Sequence, residues 1–540
     1  MNQHAILHTQ KSNYAFAYDR DTLYIRIRTA KNDMDNVSLI YGDKYEWEKR
    51  NMQSMVKVAT DELFDYYETN VSLVQKRYVY IFELEKENQK AIYSENGLTV
   101  DFDYERGYLY QFQFPFINET DLHVVPQWAK SAIFYQIFPE RFCNGDASRN
   151  PSNICNWNDK PKSDSFYGGD LQGIIQNLDY IKDLGITAVY LTPIFISPTN
   201  HKYDTIDYME IDPSFGSKED LKILVTKLHQ MNIKIVFDAV FNHSGSDFFA
   251  WKDVVKHGRN SKYAPWYHLL EDSVKTNPIN YRAFAFCTNM PKLNTYNPEV
   301  RAYLLEVAKY WITEFDIDGW RLDVSDEIDH DFWRIFRKVV KSAKSDAIII
   351  GENWHDSFAW LQGDQFDSVM NYAITNTCIN FFAEDALTSM KFAQRIASIL
   401  MRNTKQVNEV MLNLLDSHDT ARFLTLCKGD KNRAKNAITF ILTFLGIPCI
   451  YYGSEIGIEG GGDPDCRRTF NWNQSSWDMD LLSYYKKLIS IRKNNDLFTS
   501  GDFHITAVED MVIMERKNKD EMIICVINNT NSSKKLQYST

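Results

Sequence analysis

Eight short apolar runs, interleaved with stretches of helical periodicity, constrain this chain more than any other feature. They cover residues 132–139, 186–193, 233–240, 317–324, 347–352, 366–370, 410–415 and 448–453. Amphipathic segments at 218–230, 300–315, 332–344, 432–445 and 481–493 intervene. A strand apolar on both faces needs cover on both, and parallel neighbours need a crossover between them. The pattern predicts a multidomain α/β protein centred on a parallel (β/α)8 TIM barrel over 126–500. A doubly wound open sheet is the alternative, but no G-x-G-x-x-G follows the first run. After the third run the helix is delayed by residues 244–296, which are expected to form an inserted domain on the barrel's rim.

The flanks have a different rhythm. Residues 1–125 alternate in short stretches, as in Leu23-Tyr-Ile-Arg-Ile-Arg28, with turn-formers between them. That predicts an N-terminal β-sandwich. Strand patterning returns over 501–540, too little chain for a full sheet domain, so a short or truncated C-terminal β module is expected.

Composition excludes several classes. Lys+Arg 60 against Asp+Glu 72 leaves a net charge of −12, unsuited to a nucleic-acid polyanion. No apolar run reaches the roughly 18 residues of a bilayer span, and no signal peptide is visible at the N-terminus. The eight cysteines are scattered without CxxC pairs, as in a reduced, cytoplasmic protein with no cysteine-ligated metal. Aromatic residues make up 14%, which suits either large aromatic cores or a ligand with flat apolar faces.

Reactive groups of such a barrel gather at the carboxyl ends of its strands. The third run ends Asp238-Ala-Val-Phe-Asn-His243 and the fourth Gly319-Trp-Arg-Leu-Asp323. The fifth ends Gly351-Glu352-Asn-Trp354 and the seventh Leu415-Asp-Ser-His418-Asp419. One acidic residue at a strand end is more often a helix cap or loop anchor. Four convergent ends with an arginine suit glycosidic bond cleavage, which needs one protonated carboxyl and one carboxylate about a sugar. The i, i+2 spacing of Arg321 and Asp323 places both on one strand face. Asp323 is therefore the expected nucleophile and Glu352 the general acid/base, with Asp419 holding sugar hydroxyls.

These four motifs, in this order, resemble the signature regions of the α-amylase family of glycoside hydrolases. Met290-Pro-Lys-Leu-Asn294 and the front module are similar to its neopullulanase, cyclomaltodextrinase and maltogenic amylase branch. The resemblance implies a retaining hydrolase of α-1,4 and, as a secondary target, α-1,6 glucosidic bonds in cyclodextrins, pullulan and maltooligosaccharides, with some transglycosylation. It gives Asp323, Glu352 and Asp419 as nucleophile, acid/base and transition-state stabiliser. Asp238, Asn242, His243, Arg321 and His418 would line the cleavage subsite. Tyr203 would be a platform beneath the sugar, or a loop-packing tyrosine. Trp354 and Phe284 would line the acceptor side, or simply pack in the core. Asp463 and Arg467 would grip the sugar, or form a loop ion pair; Glu327 would handle the acceptor. The front sandwich would pair two copies into a homodimer, with Trp47, Phe64 and Tyr67 as contributors or simply as core.

A weak calcium site is also implied, with no organic cofactor. Its residues are Asn144, Asp146, Asn150, Gly168 and Asp170. The branch reads N-G-D-P-S-N-D where this chain has Asn144-Gly-Asp-Ala-Ser-Arg-Asn150, so Arg149 takes a ligand position and one carboxylate becomes an amide. An Asx-rich turn without an ion is the alternative. Asp326 likewise replaces the usual asparagine of V-A-N-E. Readings that compete with the hydrolase are an α-glucosidase or transglycosylase of the same family, and a non-catalytic binding barrel. A zinc-dependent hydrolase lacks clustered His/Asp ligands.

Overall fold

A computed structural model describes residues 1–105 and 110–536. At its centre lie eight parallel strands: Phe134–Ile137, Ala188–Leu191, Lys234–Ala239, Gly319–Leu322, Ile348–Gly351, Ser368–Val369, Leu412–Leu414 and Ile447–Tyr451. Taken in chain order as first to eighth, they lie 6-5-4-3-2-1-8-7 across the sheet. The ring closes through a parallel bridge between Met370 and Leu412. Strands six and seven are shorter than their apolar runs, although the Asp367 N–H ahead of the sixth still bonds the Ile349 carbonyl at 2.9 Å.

Alternation along the strands sorts two cores. Phe134, Ala188, Tyr190, Val236, Ile348, Ile350, Leu412 and Leu414 belong to the cluster that fills the barrel. Tyr135, Val189, Ile235, Phe237, Trp320, Leu322 and Ile349 join the larger cluster packed with the helices. Trp311, Trp320 and Trp333 are fully buried in that layer. Truncating any of them to alanine would cost about 3–5 kcal/mol.

The helices start where the sequence supplies caps. Ser217 and Asp220 form a capping box on Lys218–Gln230. Asn297 caps Pro298–Phe315 ahead of a proline at the first helical positions. Asp329, Asp430 and Asp478 cap His330–Ala343, Lys431–Thr443 and Met479–Lys493.

In front of the barrel, two antiparallel sheets enclose a separate core that includes Ile25, Leu39, Tyr67, Tyr80 and Phe82. Tyr67 is thus buried in the sandwich, and Phe64 packs against a small cluster of Ala59, Tyr66 and Ala397, the last from the barrel helix Ser389–Met401. Tyr67 therefore fits the core alternative, while Phe64 stays partly exposed; Trp47 is half-buried and donates its indole N–H to the Tyr104 carbonyl at 3.1 Å. Arg26 clamps the sandwich to the barrel, donating to the Met401 carbonyl at 3.1 Å while pairing with Glu68 at 2.7 Å.

The segment after the third strand packs its Trp251, Tyr267 and Tyr281 rings into the barrel's outer core. A bridge between His243 and Lys292 ties its two ends together. At the C-terminus, Asp502–Val508, Met511–Lys517 and Met522–Asn528 form a three-stranded antiparallel sheet. No helix among the described residues is long and apolar enough to cross a membrane.

Candidate active site

The pairing register sets the site. Asp238 lies directly beside Arg321 across the third and fourth strands, and Arg321 beside Ile350 of the fifth. Beyond the strand ends the ladder continues, with Asp323 N–H on the Ala239 carbonyl at 3.1 Å and Glu352 N–H on Leu322 at 3.0 Å. The two acidic residues are therefore positioned by backbone rather than by flexible loops.

Arg321, wholly buried, is the hub. Its Nη1 donates to Asp238 at 2.9 and 3.0 Å and to Asp323 Oδ1 at 2.9 Å, while Nη2 lies 2.8 Å from Glu352 Oε2. Glu352 Oε2 also accepts the Val324 N–H at 3.0 Å. To aim that N–H, Val324 adopts a left-handed conformation, φ 45° and ψ 44°, which a β-branched residue occupies only at a cost of roughly 1–3 kcal/mol. The second Glu352 oxygen faces only the Trp354 indole N–H, at 3.3 Å.

One guanidinium thus confronts three carboxylates. Asp419 stands close by, held by Arg467 at 3.3 Å and His418 at 3.2 Å. Burial raises the pKa of all four acids, and Arg321 opposes the rise in each. Asp238 is pushed up to about 6, and Asp323 lies well above the ordinary carboxylate range. The cluster retains a shared proton where isolated carboxylic acids would have lost theirs.

A hydrogen-bonded chain supports the hub. The Gln136 amide nitrogen sits 2.7 Å from His418 Nδ1, which leaves the ring proton on Nε2 facing Tyr203 Oη at 2.5 Å. Tyr203 in turn donates to Asp238 at 3.0 Å, and Tyr190 donates to the same oxygen at 2.5 Å. The Tyr203 and His418 rings lie parallel, 5.5 Å apart. Burial holds His418 neutral, its pKa far below the usual histidine value. Arg467 also bonds the His418 carbonyl at 2.8 Å and pairs with Asp463 at 3.0 Å, so Asp463 reaches the site through it.

Around the rim, His243 stacks on Phe284 at 5.3 Å, and burial lowers its pKa to about 3. Trp354 lies flat on Tyr372 at 3.7 Å yet remains 54% exposed, leaving its other face open. Glu327 pairs with Lys292 at 3.2 Å, and Lys292 also bonds the Asn242 side chain. Asp326 pairs with His355 at 2.9 Å.

The structure thus brings together Tyr203, Asp238, Asn242, His243, Phe284, Arg321, Asp323, Glu327, Glu352, Trp354, His418, Asp419, Asp463 and Arg467. Sequence reasoning missed Gln136, Tyr190, Lys292 and Tyr372. Gln136 and Tyr190 were visible as polar side chains inside apolar runs, and Lys292 lay inside a motif already singled out.

The loop expected to hold calcium is assembled, but its donors are engaged. Asp170 accepts the N–H groups of Gly145, Asp146 and Gly173 at 3.1, 2.8 and 2.6 Å. Asp146 accepts Arg149 Nε at 2.8 Å and the Ser148 N–H at 3.1 Å, and Asn150 Oδ1 accepts Asn144 Nδ2 at 2.8 Å. Only Asn144 Oδ1 is buried without a partner among this set. Calcium takes six to eight oxygens, carboxylates among them, so the residues fit it poorly. Among the described residues no cluster of three His, Cys, Asp or Glu side chains could hold a metal.

Comparison with known proteins agrees with this geometry. The family described as "Alpha amylase, catalytic domain" matches residues 136–501, and "Alpha amylase, N-terminal ig-like domain" matches residues 1–118. A cyclomaltodextrinase of Thermoanaerobacter pseudethanolicus is 50% identical over 535 residues, 98% of this chain and 93% of that protein. An intracellular maltogenic amylase of Bacillus subtilis is 44% identical over 544 residues, 98% of this chain and 92% of that protein. A solved cyclomaltodextrinase structure aligns with a TM-score of 0.95 at 44% identity, covering 98% of this chain and 91% of its own. Acidic strand ends gathered on one arginine, in a barrel preceded by an Ig-like sandwich, mark this chain as a member of the α-amylase family of glycoside hydrolases.

Proposed function

We propose that this enzyme cleaves α-1,4 glucosidic bonds of cyclodextrins, maltooligosaccharides and pullulan with retention, and that Asp323, Glu352 and Asp419 carry the reaction. One observation carries the reading: a single guanidinium spans Asp323 and Glu352. That suits the carboxyl separation of retaining enzymes, about 5–5.5 Å, better than the roughly 6.5–9.5 Å of inverting ones. Arg321 Nη1 opposes protonation of Asp323, the nucleophile, so the pair's shared proton is donated by the Glu352 carboxyl. Glu352 has Oε2 occupied by donors, so its proton sits on Oε1 and passes to the leaving glycosidic oxygen. Asp419, steadied by Arg467, tightens on sugar hydroxyls as positive charge grows at the anomeric carbon. Water then releases the glycosyl-enzyme with Glu352 as base.

The names of the similar proteins support cyclic and short α-glucans as substrates. The open face of Trp354 favours a second outcome, transfer to a stacked sugar acceptor. We place the enzyme in the cytoplasm, as its similarity to an intracellular relative and its eight unpaired cysteines suggest. We also propose a homodimer through the front sandwich, on the resemblance of that module to its branch.

Incubation with β-cyclodextrin, pullulan and soluble starch in parallel tests the reading. Products of retained anomeric configuration, formed fastest from β-cyclodextrin, are expected; inverted products or a monomer that prefers starch would overturn it.

A further inference from the structure

The loop after the first strand is cross-linked by a side chain where a metal was expected. We propose that Arg149 is a built-in replacement for calcium, so that this enzyme folds and works without the ion. Its guanidinium reaches Asp146 with Nε at 2.8 Å and Asp220 with Nη1 at 2.9 Å. Asp146 belongs to the loop itself. Asp220 belongs to the capping box of Lys218–Gln230, where its Oδ2 also takes the Ser217 N–H at 2.8 Å. One fixed cation thus neutralises the loop's carboxylate and moors the loop to the next barrel helix.

The surroundings are shaped for this arrangement. Gly216 borders the guanidinium: a Cβ there would stand 3.2 Å from Nη1, on a backbone with φ 143°. Asp170, the other carboxylate of the set, turns both oxygens onto backbone N–H groups, so an ion would have to compete with them. A divalent cation entering here would meet the positive charge of Arg149 and a largely amide donor set.

The loop matters to the site it flanks. Its far end, at Gly168, is held by Glu140 at 2.8 Å, and the adjacent Arg141 donates to the Arg467 carbonyl at 3.0 Å. A slackened loop would therefore be felt by the residues that hold Asp419.

Thermal unfolding and β-cyclodextrin hydrolysis, each measured in EDTA and in millimolar calcium, test the proposal on three full-length proteins. The unmodified enzyme is expected to show the same Tm and the same rate in both media. Arg149→Ala should lower Tm by about 2 °C, with no recovery in calcium. Arg149→Asp, which places a carboxylate at that ligand position and removes the positive charge, should lower Tm in EDTA and regain it in calcium. Its calcium binding should be measurable by calorimetry with Kd of about 10⁻⁴–10⁻³ M. A calcium-raised Tm in the unmodified enzyme would overturn the proposal. So would an Arg149→Ala protein as stable as its parent. An Arg149→Asp protein that is weakened yet blind to calcium would also overturn it, reducing Arg149 to an ordinary ion pair.

Discussion

Asp318 and Asp323 flank the same four-residue strand, Gly319–Leu322, and live in opposite electrostatic worlds. At the amino end, Asp318 receives His229 at 2.7 Å, Lys234 at 2.9 Å, Lys344 at 2.8 Å and the Ile235 N–H at 2.9 Å. Asp367, just before the sixth strand, repeats the device with Arg337, Lys341 and the Ile349 N–H. Burial alone would raise both pKa values, but the surrounding donors more than reverse it. At the carboxyl end one arginine serves three acids, and burial prevails. Several donors converge on one buried carboxylate where the barrel needs fixing; several carboxylates share one cation where it needs a movable proton.

The largest effect should come from the carboxyl end. Asp323→Asn is expected to cut kcat on β-cyclodextrin on the order of 10⁴-fold. Its Tm should not fall, because one of several repelling carboxylates is gone; calorimetry beside the kinetics checks both. Asp318→Asn should do the converse. Stability should drop by about 3 kcal/mol in guanidinium unfolding, since half-buried donors lose a buried partner, while kcat of the folded enzyme stays within about two-fold. A dead but stable Asp318→Asn protein would break the comparison.

Acidity separates the two ends next. Asp318 titrates lower folded than unfolded, so its contribution is complete above about pH 4 and drains away as pH falls further. Asp238 titrates higher when folded, at about 6, so the folded state holds an extra proton and loses stability as pH climbs from about 4 to 6. Tm profiles should therefore flatten on the acid side in Asp318→Asn and between about pH 4 and 6 in Asp238→Asn. The smallest effect belongs to the rim. Asp326→Asn breaks the bridge to His355 and should alter the ratio of transfer to hydrolysis products by about two-fold, with Tm unchanged. Product analysis on maltotriose reads this, and an unaltered ratio removes Asp326 from acceptor handling.

Much of this was legible because barrel strands announce themselves. Both faces of the fifth strand, Ile348–Gly351, are covered, so its run is continuously apolar, and the first polar residue after it, Glu352, falls in the site. The motif at Asp323 was legible for the same reason. Gln136 and Tyr190 were harder: a polar side chain within a strand has no local signature that distinguishes a hydrogen-bonded relay from a satisfied core residue. The run at 366–370 overstated its strand, because hydropathy does not reveal that Asp367 spends its carboxylate on the Ile349 N–H. For Phe64 and Tyr67 the core alternative could not be separated from an interface role, because alternation fixes two faces of a sandwich strand without saying which element covers each. Arg149 was readable as a departure, but its second partner, Asp220, is distant in sequence.

The barrel's closure has a consequence for how the molecule comes apart. Between Ser368–Val369 and Leu412–Leu414 the contact rests on one bridge, and the Leu412 amide bonds a serine hydroxyl, Ser368 Oγ, at 3.1 Å rather than a carbonyl. Such a seam parts before the other staves of the cylinder do. In deuterium labelling, the amides of Asn371 and Leu412 should exchange ahead of those in Lys234–Ala239, making this edge the zip by which the ring opens.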